Sequence, residues 1–445
     1  MLAEEPVYEV AVVGGGLSGL AASIHLARFG FRVACFEPAS DFSRLVGESL
    51  DWSAPELFSD LGLQMEDLVA QSVCTYKHNV ALKTKHAGEI NYIPSPWLAK
   101  PPLNIELRTL HVDRQQLHER LIAMTAALGV ITIRDRVTGI ERTGRRVIAV
   151  RTASGQTTFA DWFVDASGAA SSLFAREFHL RAEVYGPPKV AMWSYFKTSE
   201  RPQGTRLYTD AAPGEYMEWI WEIPINPGTL SVGYVATGES IKHKRSKSLS
   251  VEDIYCRELM QYERFRNLMN SGEPVSAPNV TSFTCRVFKG VCGPNWVIIG
   301  EAASVPDPIT GNGVTAALRH AQEATQLIAR FRNKGRIPWL TRATYNLRVL
   351  HMGRFFNSLI EKLAYDKPVR DRIGLLKAGD IYTAAAWSIN HLYSRFRPKS
   401  MLATAVWSSF LSALRSATWL FYWALGRMAE RNGRSTKLVA CGLEA

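Results

Sequence analysis

Three glycines near the start of the chain, Gly14, Gly16 and Gly19, have the spacing G-x-G-x-x-G. In this spacing the first glycine permits a sharp turn, the second lets a pyrophosphate approach the backbone, and the third lets a helix close against a strand. Glu37 follows at the end of the next apolar run, where a carboxylate can accept hydrogen bonds from both ribose hydroxyls. The pattern predicts a dinucleotide site, with the pyrophosphate at the positive N-terminus of a helix.

A second motif lies at residues 296–313, which read WVIIGEAASVPDPITGNG. Its first part is an apolar run typical of a buried strand. The acid Glu301, the D-P pair at Asp307 and the glycine turn at Gly311 follow directly. So dense a combination of an acid, prolines and glycines at the end of a strand indicates a ligand-binding turn rather than an ordinary loop.

Five further segments have residue types suited to a cofactor or an aromatic substrate. They are G-E-S-L at 47–50 with Arg44 ahead of it, T-Y-K-H at 75–78 with Lys77, V-D-R at 112–114, D-A-S-G at 165–168, and W-I-W-E-I-P at 219–224 with W-S-Y-F at 193–196 upstream. An aromatic strand is usually part of a core. Two tryptophans, an isoleucine and a proline in this register are nevertheless difficult to obtain by chance.

Together these segments resemble the motifs of the flavin-dependent halogenases and of the class A flavin monooxygenases, which share the p-hydroxybenzoate hydroxylase fold. The resemblance extends over most of the first 330 residues. It implies a non-covalently bound FAD, with Arg114 at the flavin phosphate or ribityl chain and Glu301 where the family usually has Asp. The implied cofactor contacts are Gly14, Gly16, Gly19, Glu37, Arg44, Ser49, Arg114, Glu301, Pro308, Gly311, Asn312 and Gly313. The implied catalytic positions are Lys77, Trp219 and Trp221.

Lys77 and the turn at 307–313 point to different reactions. Lys77 lies 29 positions after Glu48, about where the halogenase branch has a lysine that binds hypohalous acid; a solvated surface lysine is an equal alternative. The turn reads D-P-I-T-G-N-G, closer to the hydroxylases than to the halide-binding turn of the halogenases. We therefore expect a monooxygenase that hydroxylates an electron-rich ring, of the indole, tryptophan or phenol type, through a C4a-hydroperoxyflavin. Halogenation of an aromatic substrate is the alternative.

Other readings of the same resemblance stay open. One subgroup of the superfamily oxidises a tryptophan residue of a partner protein towards a quinone cofactor. A saturating reductase of the geranylgeranyl reductase type would share the T-G-x-G turn but would not explain W-x-W-x-I-P. A protein that binds FAD as an assembly partner, without turnover, belongs to another class altogether. The chain has no second G-x-G-x-x-G motif, so reduction is expected from transiently bound NAD(P)H or from a partner flavin reductase, and dioxygen is the expected oxidant.

The order of elements predicts an α/β fold: a Rossmann-like FAD-binding domain with an interleaved antiparallel-sheet substrate domain and a helical C-terminal region. Strand, glycine turn, helix and strand open the chain, and aromatic and β-branched residues separated by Pro and Gly dominate 189–238. We expect the FAD-binding domain at 1–80, 103–182 and 283–332, the substrate domain at 81–102 and 183–282, and the helical region at 333–445.

Composition narrows the class of protein. The 445 residues are 47% hydrophobic and 21% charged, which is typical of a globular protein rather than a disordered one. The net charge is +11, and residues 329–372 contribute eleven basic against three acidic residues, or +8. Such a stretch could attract an anionic carrier or protein partner, or could be a solvated helix face. No nucleic-acid motif accompanies it, and the six scattered cysteines have no metal-ligand spacing and indicate reduced thiols.

The two ends of the sequence bear on location. The N-terminus has neither the basic nor the apolar region of a signal peptide, and the apolar segment 401–428 is interrupted by Arg415 and several serines, unlike a membrane span. We therefore expect a cytoplasmic enzyme. In the C-terminal segment, apolar residues at helical spacing predict an amphipathic helix that docks on the protein's own core, with a partner protein or a membrane surface as alternatives. They are Trp407, Phe410, Leu411, Leu414, Phe421 and Leu425, and Ser408, Ser412, Arg415 and Ser416 form the other face.

Overall fold

The computed structural model of the protein describes residues 8–39, 45–83, 91–93, 108–199, 202–209, 215–271, 273–275, 277–365, 385–386, 388–390, 392–393, 397–417 and 420. The strands are β1 (Val10–Val13), β2 (Val33–Phe36), β3 (Cys74–Lys77), β4 (Val80–Lys83), β5 (Asn91–Ile93), β6 (Thr109–Val112), β7 (Ile131–Ile133), β8 (Val137–Thr143), β9 (Arg146–Thr152), β10 (Thr157–Phe159), β11 (Trp162–Asp165), β12 (Ala182–Lys197), β13 (Thr205–Tyr208), β14 (Trp219–Asn226), β15 (Thr229–Thr237), β16 (Glu273–Pro274), β17 (Asn279–Phe288), β18 (Trp296–Ile298) and β19 (Ser304–Val305).

The helices connect and cover these strands. They are α1 (Leu17–Arg28), α2 (Ala54–Asp60), α3 (Met65–Ala70), α4 (Arg114–Ala127), α5 (Gly168–Ser171), α6 (Leu173–Glu177), α7 (Gly238–Arg245), α8 (Val251–Leu259), α9 (Glu263–Ser271), α10 (Gly313–Phe331) and α11 (Trp339–Ile360). A further helix spans 401–417.

The predicted parallel sheet is confirmed. Five strands lie in the order β18-β11-β1-β2-β7, and all neighbours pair in parallel. Every residue of β1 and β11 is buried, because helices cover both faces of the sheet. The carboxyl ends of β1, β11 and β18 meet at one edge, and the motif turns that follow these strands are brought together there.

The aromatic segment forms part of a larger sheet than the sequence predicts. The strand order is β19-β17-β12-β15-β14-β13-β4-β5, with β16 beside β12. Neighbours pair antiparallel except for β13 and β4, which are parallel. The sheet therefore combines 80–93 with 182–305. The expected boundary at 282/283 falls within β17, and the division into domains stays a prediction.

Alternation along β14 directs its tryptophans to one face of this sheet. Trp219 and Trp221 belong to a core cluster shared with α11, and Ile220 belongs to a cluster on the other face shared with α8 and α9. Because helices cover both faces, seven of the eight residues of β14 are buried.

The helix over 401–417 docks on the protein's own core, as expected, although its faces differ in detail. Leu411 is 2% exposed and belongs to the cluster of Trp219, and Trp407 and Leu414 pack against that cluster. Two assignments were wrong: Phe410 is 42% exposed, and Ser408 is buried. The reason is that the buried face is centred on Leu411, which turns Phe410 towards solvent. Phe421 and Leu425 lie outside the described residues. Within the part of the chain that the structure describes, no helix is both long and apolar enough to cross a membrane.

Candidate active site

The glycine turn after β1 is fixed by close backbone contacts. Gly14 has φ +99°, and a Cβ there would lie 2.4 Å from the carbonyl oxygen of Ala166. A Cβ on Gly19 would lie 1.8 Å from the carbonyl oxygen of Gly14. Gly16 differs, because no protein atom lies within 4 Å of its Cβ position. Gly14 and Gly19 therefore shape the turn, and Gly16 borders open space.

Glu37, the predicted ribose ligand, is held by the same turn. One carboxylate oxygen accepts a hydrogen bond from the Gly15 amide at 2.7 Å, and the other accepts one from the Ala39 amide at 2.8 Å. A carboxylate oxygen can accept more than one hydrogen bond. Glu37 is thus oriented by backbone and retains acceptor capacity.

A cavity of about 490 Å³ lies between the two sheets. This volume is within the range of small-molecule and cofactor sites. The predicted site residues that line it are Gly16, Ser49, Lys77, Arg114, Trp219, Trp221, Glu301, Pro308, Gly311 and Gly313. Asn312 lines a smaller neighbouring cavity instead, and Arg44 lies outside the described residues. The structure thus assembles most of the predicted residues around one space.

Lys77 is buried in the wall of this cavity. Its side chain is 3% exposed, and its Nζ donates to the carbonyl oxygen of Leu50 at 2.7 Å. The same atom lies 4.8 Å from the ring centroid of Trp52. Burial lowers the pKa of Lys77 to about 8, and the charge of Asp51 partly opposes this. The alternative of a solvated surface lysine was wrong, because β3 pairs with β6 and turns Lys77 inwards.

Trp219 and Trp221 form the aromatic wall, with ring centroids 5.7 Å apart. The indole of Trp219 donates to the hydroxyl of Tyr365 at 3.0 Å, and the indole of Trp221 donates to the hydroxyl of Ser231 at 3.0 Å. Both N–H groups are thus engaged on the side away from the cavity. The rings present flat apolar surface to a ligand, and their orientation is fixed by hydrogen bonds.

The turn at 307–313 is braced from behind by a buried ion pair. Asp307 accepts from the Ile309 amide at 3.1 Å and from the hydroxyl of Tyr365 at 3.1 Å. Lys189 lies 3.1 Å from the other carboxylate oxygen. Gly311 has φ +64°, and a Cβ there would lie 2.7 Å from the carbonyl oxygen of Ser49. The turn therefore packs directly on the segment that precedes Lys77 in the cavity wall.

Charged groups of both signs meet at the opposite end of the cavity. Glu48 is 2% exposed and accepts from the hydroxyls of Tyr195 at 3.1 Å and Ser231 at 3.2 Å. Burial raises its pKa, and these bonds and the charge of Arg114 counteract the rise. Desolvation raises the pKa of Glu301, against the charge of Arg114. The Nε of Arg114 is buried without a hydrogen-bond partner.

Several site residues escaped the sequence analysis. Trp52, Asp51 and Thr205 line the cavity, and Lys189 and Tyr365 support its turn. Trp52 and Asp51 follow G-E-S-L immediately, so their position beside that motif was an available signal. Lys189 and Tyr365 carry no local signal, because only the tertiary fold brings them to Asp307.

Comparison with known proteins supplies the family. The tryptophan halogenase family model matches residues 82–371, more than half of the chain, and a model of the NAD(P)-binding Rossmann-like domain matches residues 12–64. The chain belongs to the tryptophan halogenase family. This family is flavin-dependent, which implies FAD and dioxygen, and it confirms the superfamily expected from the motifs.

Curated relatives share about a quarter of their residues with this tryptophan halogenase family member. A tryptophan 2-halogenase of Chondromyces crocatus is 27% identical over 321 residues, which cover 70% of this chain and 59% of the relative. A 1H-pyrrole-2-carbonyl-(peptidyl-carrier protein) chlorinase of Pseudomonas fluorescens is 24% identical over 342 residues, covering 72% of this chain and 75% of the relative. The match thus spans just under three fifths of the first relative's length.

Solved structures confirm the fold. The flavin-dependent halogenase CmlS superposes with a TM-score of 0.67 at 20% identity, covering 86% of this chain and 70% of CmlS. The flavin-dependent brominase Bmp2 superposes with a TM-score of 0.62 at 21% identity, covering 87% of this chain and 99% of Bmp2.

Proposed function

We propose that this protein is a flavin-dependent halogenase of an electron-rich aromatic substrate. The observation that carries the proposal is the burial of Lys77 in the same cavity as the two flavin motifs. A desolvated lysine is costly, and burial of this kind is characteristic of functional sites. The sequence favoured hydroxylation because of the turn at 307–313, but the named relatives and the position of Lys77 favour halogenation.

The residues of the cavity fit FAD. The unpartnered buried Nε of Arg114 calls for an acceptor, such as a phosphate or ribityl oxygen. The open space at Gly16, before the N-terminus of α1, accommodates a pyrophosphate. Gly311 and Gly313 at the start of α10 would face the isoalloxazine. Bound in its reduced form, FAD would supply with dioxygen the two-electron oxidising equivalent that converts halide to hypohalous acid.

Lys77 is suited to hold hypohalous acid near a ring. Its ammonium group can donate hydrogen bonds, and a pKa of about 8 keeps most of the side chain protonated at neutral pH. Asp51 supports the protonated form from the same wall. Trp52 beside the ammonium group makes this part of the cavity apolar and limits access of water. We infer that Lys77 orients the electrophilic halogen and that exclusion of water protects it from loss.

Trp219 and Trp221 would bind the ring to be halogenated. Their flat faces can stack on an indole, pyrrole or phenol. A substrate attached to a carrier protein is consistent with the relative from Pseudomonas fluorescens, which is named for such a substrate. The basic stretch supports a carrier less than its charge suggests, because several of its arginines pair internally: Arg332 with Glu9, Arg348 with Glu323 and Arg354 with Glu183. Arg330, Lys334 and Arg336 remain exposed. Reduced flavin from a partner reductase is the electron source that we propose.

The test supplies the holoprotein with reduced flavin, oxygen, bromide and an indole, pyrrole or phenol, free or carrier-bound, and examines the products by mass spectrometry. We expect a bromine isotope doublet. Lys77→Met should abolish it, and the exposed Lys247→Met should not. Product bearing oxygen whether or not bromide is present would instead establish hydroxylation, the second candidate, which the hydroxylase-like T-G-N-G at 310–313 favours.

A further inference from the structure

Four side chains form a continuous hydrogen-bonded chain between the cavity and the protein surface. The hydroxyls of Ser49 and Thr205 lie 2.8 Å apart, and Thr205 Oγ1 lies 2.9 Å from Nε2 of His111. Nδ1 of His111 lies 3.3 Å from the hydroxyl of Thr75. Ser49 and Thr205 line the cavity, and Thr75 lines a separate surface pocket of about 350 Å³ together with the exposed His78.

Three segments place the chain. His111 in β6 pairs with Thr75 in β3, and Ser49 forms an isolated bridge to the same histidine. Thr205 begins β13 of the large sheet. His111 is 0% exposed, and each of its ring nitrogens meets a hydroxyl group. Burial holds the pKa of His111 well below its usual range, with the charges of Lys77 and His78 adding to the effect. The ring is therefore neutral, and protons pass through it without being trapped.

The hydroxyl of Thr75 sets the direction of the hydrogen bonds. It donates to the carbonyl oxygen of Pro224 at 2.5 Å, so its oxygen accepts from Nδ1–H of His111. Nε2 of His111 then accepts from Thr205, and Thr205 accepts from Ser49. All four bonds are made by one tautomer, with the proton on Nδ1.

We propose that His111, with Thr75, Thr205 and Ser49, relays single protons between the flavin cavity and the surface pocket. The role rests on the proposed function: oxidation of halide by dioxygen and anionic reduced flavin takes up two protons for each hypohalous acid and water formed. Substitution of the ring then forms a carbon–halogen bond and releases the ring proton. A dry cavity needs a path for such protons.

Each passage moves one proton and switches the tautomer. Inward, Ser49 protonates an acceptor in the cavity and is reprotonated by Thr205, and Nε2–H of His111 reprotonates Thr205. Thr75 protonates Nδ1 and regains a proton from water in the pocket. Outward, the same transfers run in reverse and restore the Nε2–H form. Proton uptake during halide oxidation and proton release during ring substitution thus reset the relay.

The first measurement needs no turnover. In the resting holoprotein labelled with ¹⁵N-histidine, the His111 signal is assigned by its loss in His111→Gln. We expect a neutral ring protonated at Nδ1, whose N–H exchanges with solvent. Thr75→Val removes the hydroxyl at nearly constant shape and should abolish this exchange on the same timescale, and Thr75→Ser should restore it. Unchanged exchange in Thr75→Val would overturn the outer half of the relay.

The second measurement follows the return of oxidised flavin after reduced holoprotein is mixed with oxygen and bromide, in H₂O and in D₂O. Thr205→Val should slow this step by about 10²-fold, the usual scale for a positioned proton-transfer group, and enlarge the solvent isotope effect. Thr205→Ser should rescue both. A Val variant with the parent rate and isotope effect would refute the relay. Failure of the parent protein to form any brominated product, with the exchange behaviour intact, would refute halogenation and leave the proton path standing.

Discussion

The ammonium group of Lys189 lies 3.1 Å from a carboxylate oxygen of Asp307, and each side chain is 1% exposed. Asp307 also accepts from the Ile309 amide and from Tyr365, which in turn accepts from Trp219. One carboxylate thus connects the flavin turn to the aromatic wall. Burial acts to lower the pKa of Lys189, but the charge of Asp307 outweighs it and the pKa is raised.

Lys189→Met should therefore destabilise the protein and loosen the turn. Removal of one partner leaves an uncompensated buried charge, which costs about 3 to 5 kcal/mol. Denaturant unfolding of the apoprotein measures the loss, and titration with FAD measures the accompanying fall in affinity. In the double variant Lys189→Met/Asp307→Asn no charge remains unpaired, so part of the stability should return. A single variant as stable as the parent would show that the pair does not brace the turn.

Gly16→Val and Gly19→Ala should fail in different ways. The Cβ of Gly16 meets no protein atom within 4 Å, so Gly16→Val should fold with nearly parental stability and lose FAD because its side chain enters the predicted pyrophosphate space. The Cβ of Gly19 would lie 1.8 Å from a backbone oxygen, so Gly19→Ala should be strongly destabilised. Thermal unfolding without flavin and flavin content after purification separate the two. Full flavin occupancy in Gly16→Val would refute the phosphate assignment.

The local parts of the site could be predicted from the sequence, and the contacts between distant residues could not. Gly14 to Gly19 and Gly311 carry their own signal, because each turn needs specific residue types at fixed spacing. Lys77 could be located but not distinguished from a surface lysine, since its burial depends on the pairing of β3 with β6.

Ion pairing limited the interpretation of charge in the same way. A count of basic residues over 329–372 cannot reveal that Arg348 pairs with Glu323 and Arg354 with Glu183, because the acidic partners lie elsewhere in the chain or on a neighbouring element. The breadth of the large sheet was also hidden, because β4 and β5 are far in sequence from the aromatic strands that they join.

Product formation should fall as the pH rises through about 8. Burial lowers the pKa of Lys77 to about 8 from its usual 10.5, and the protonated form is the one that donates to hypohalous acid. The alkaline limb of the pH profile, measured with reduced flavin supplied in excess, should show this midpoint. Residual activity in Lys77→Met, if any, should lack it. An alkaline limb near 10 would show that Lys77 is not desolvated in the working enzyme.

The same group makes a prediction about stability with the opposite trend. Because the folded-state pKa is depressed, the charged form is disfavoured on folding. Lys77 therefore reduces stability below pH 8, and this penalty fades as the pH rises from 8 towards 10.5. The free energy of unfolding of the parent should rise over this interval relative to that of Lys77→Met, as urea titrations of both proteins at several pH values can measure.

The helix over 401–417 should stabilise the aromatic wall through Leu411 rather than through its outward residues. Leu411 is 2% exposed and lies in the cluster that contains Trp219 and Trp221, whereas Leu402 on the same helix is 77% exposed. Leu411→Ala should cost about 2 to 5 kcal/mol, because a cavity replaces a buried side chain. Leu402→Ala, the matched control, should change the free energy of unfolding by no more than about 0.5 kcal/mol. Since the cluster positions the tryptophans, Leu411→Ala should also weaken binding of the aromatic substrate while FAD affinity is retained. Equal effects of the two substitutions in urea unfolding would show that the helix does not dock as described.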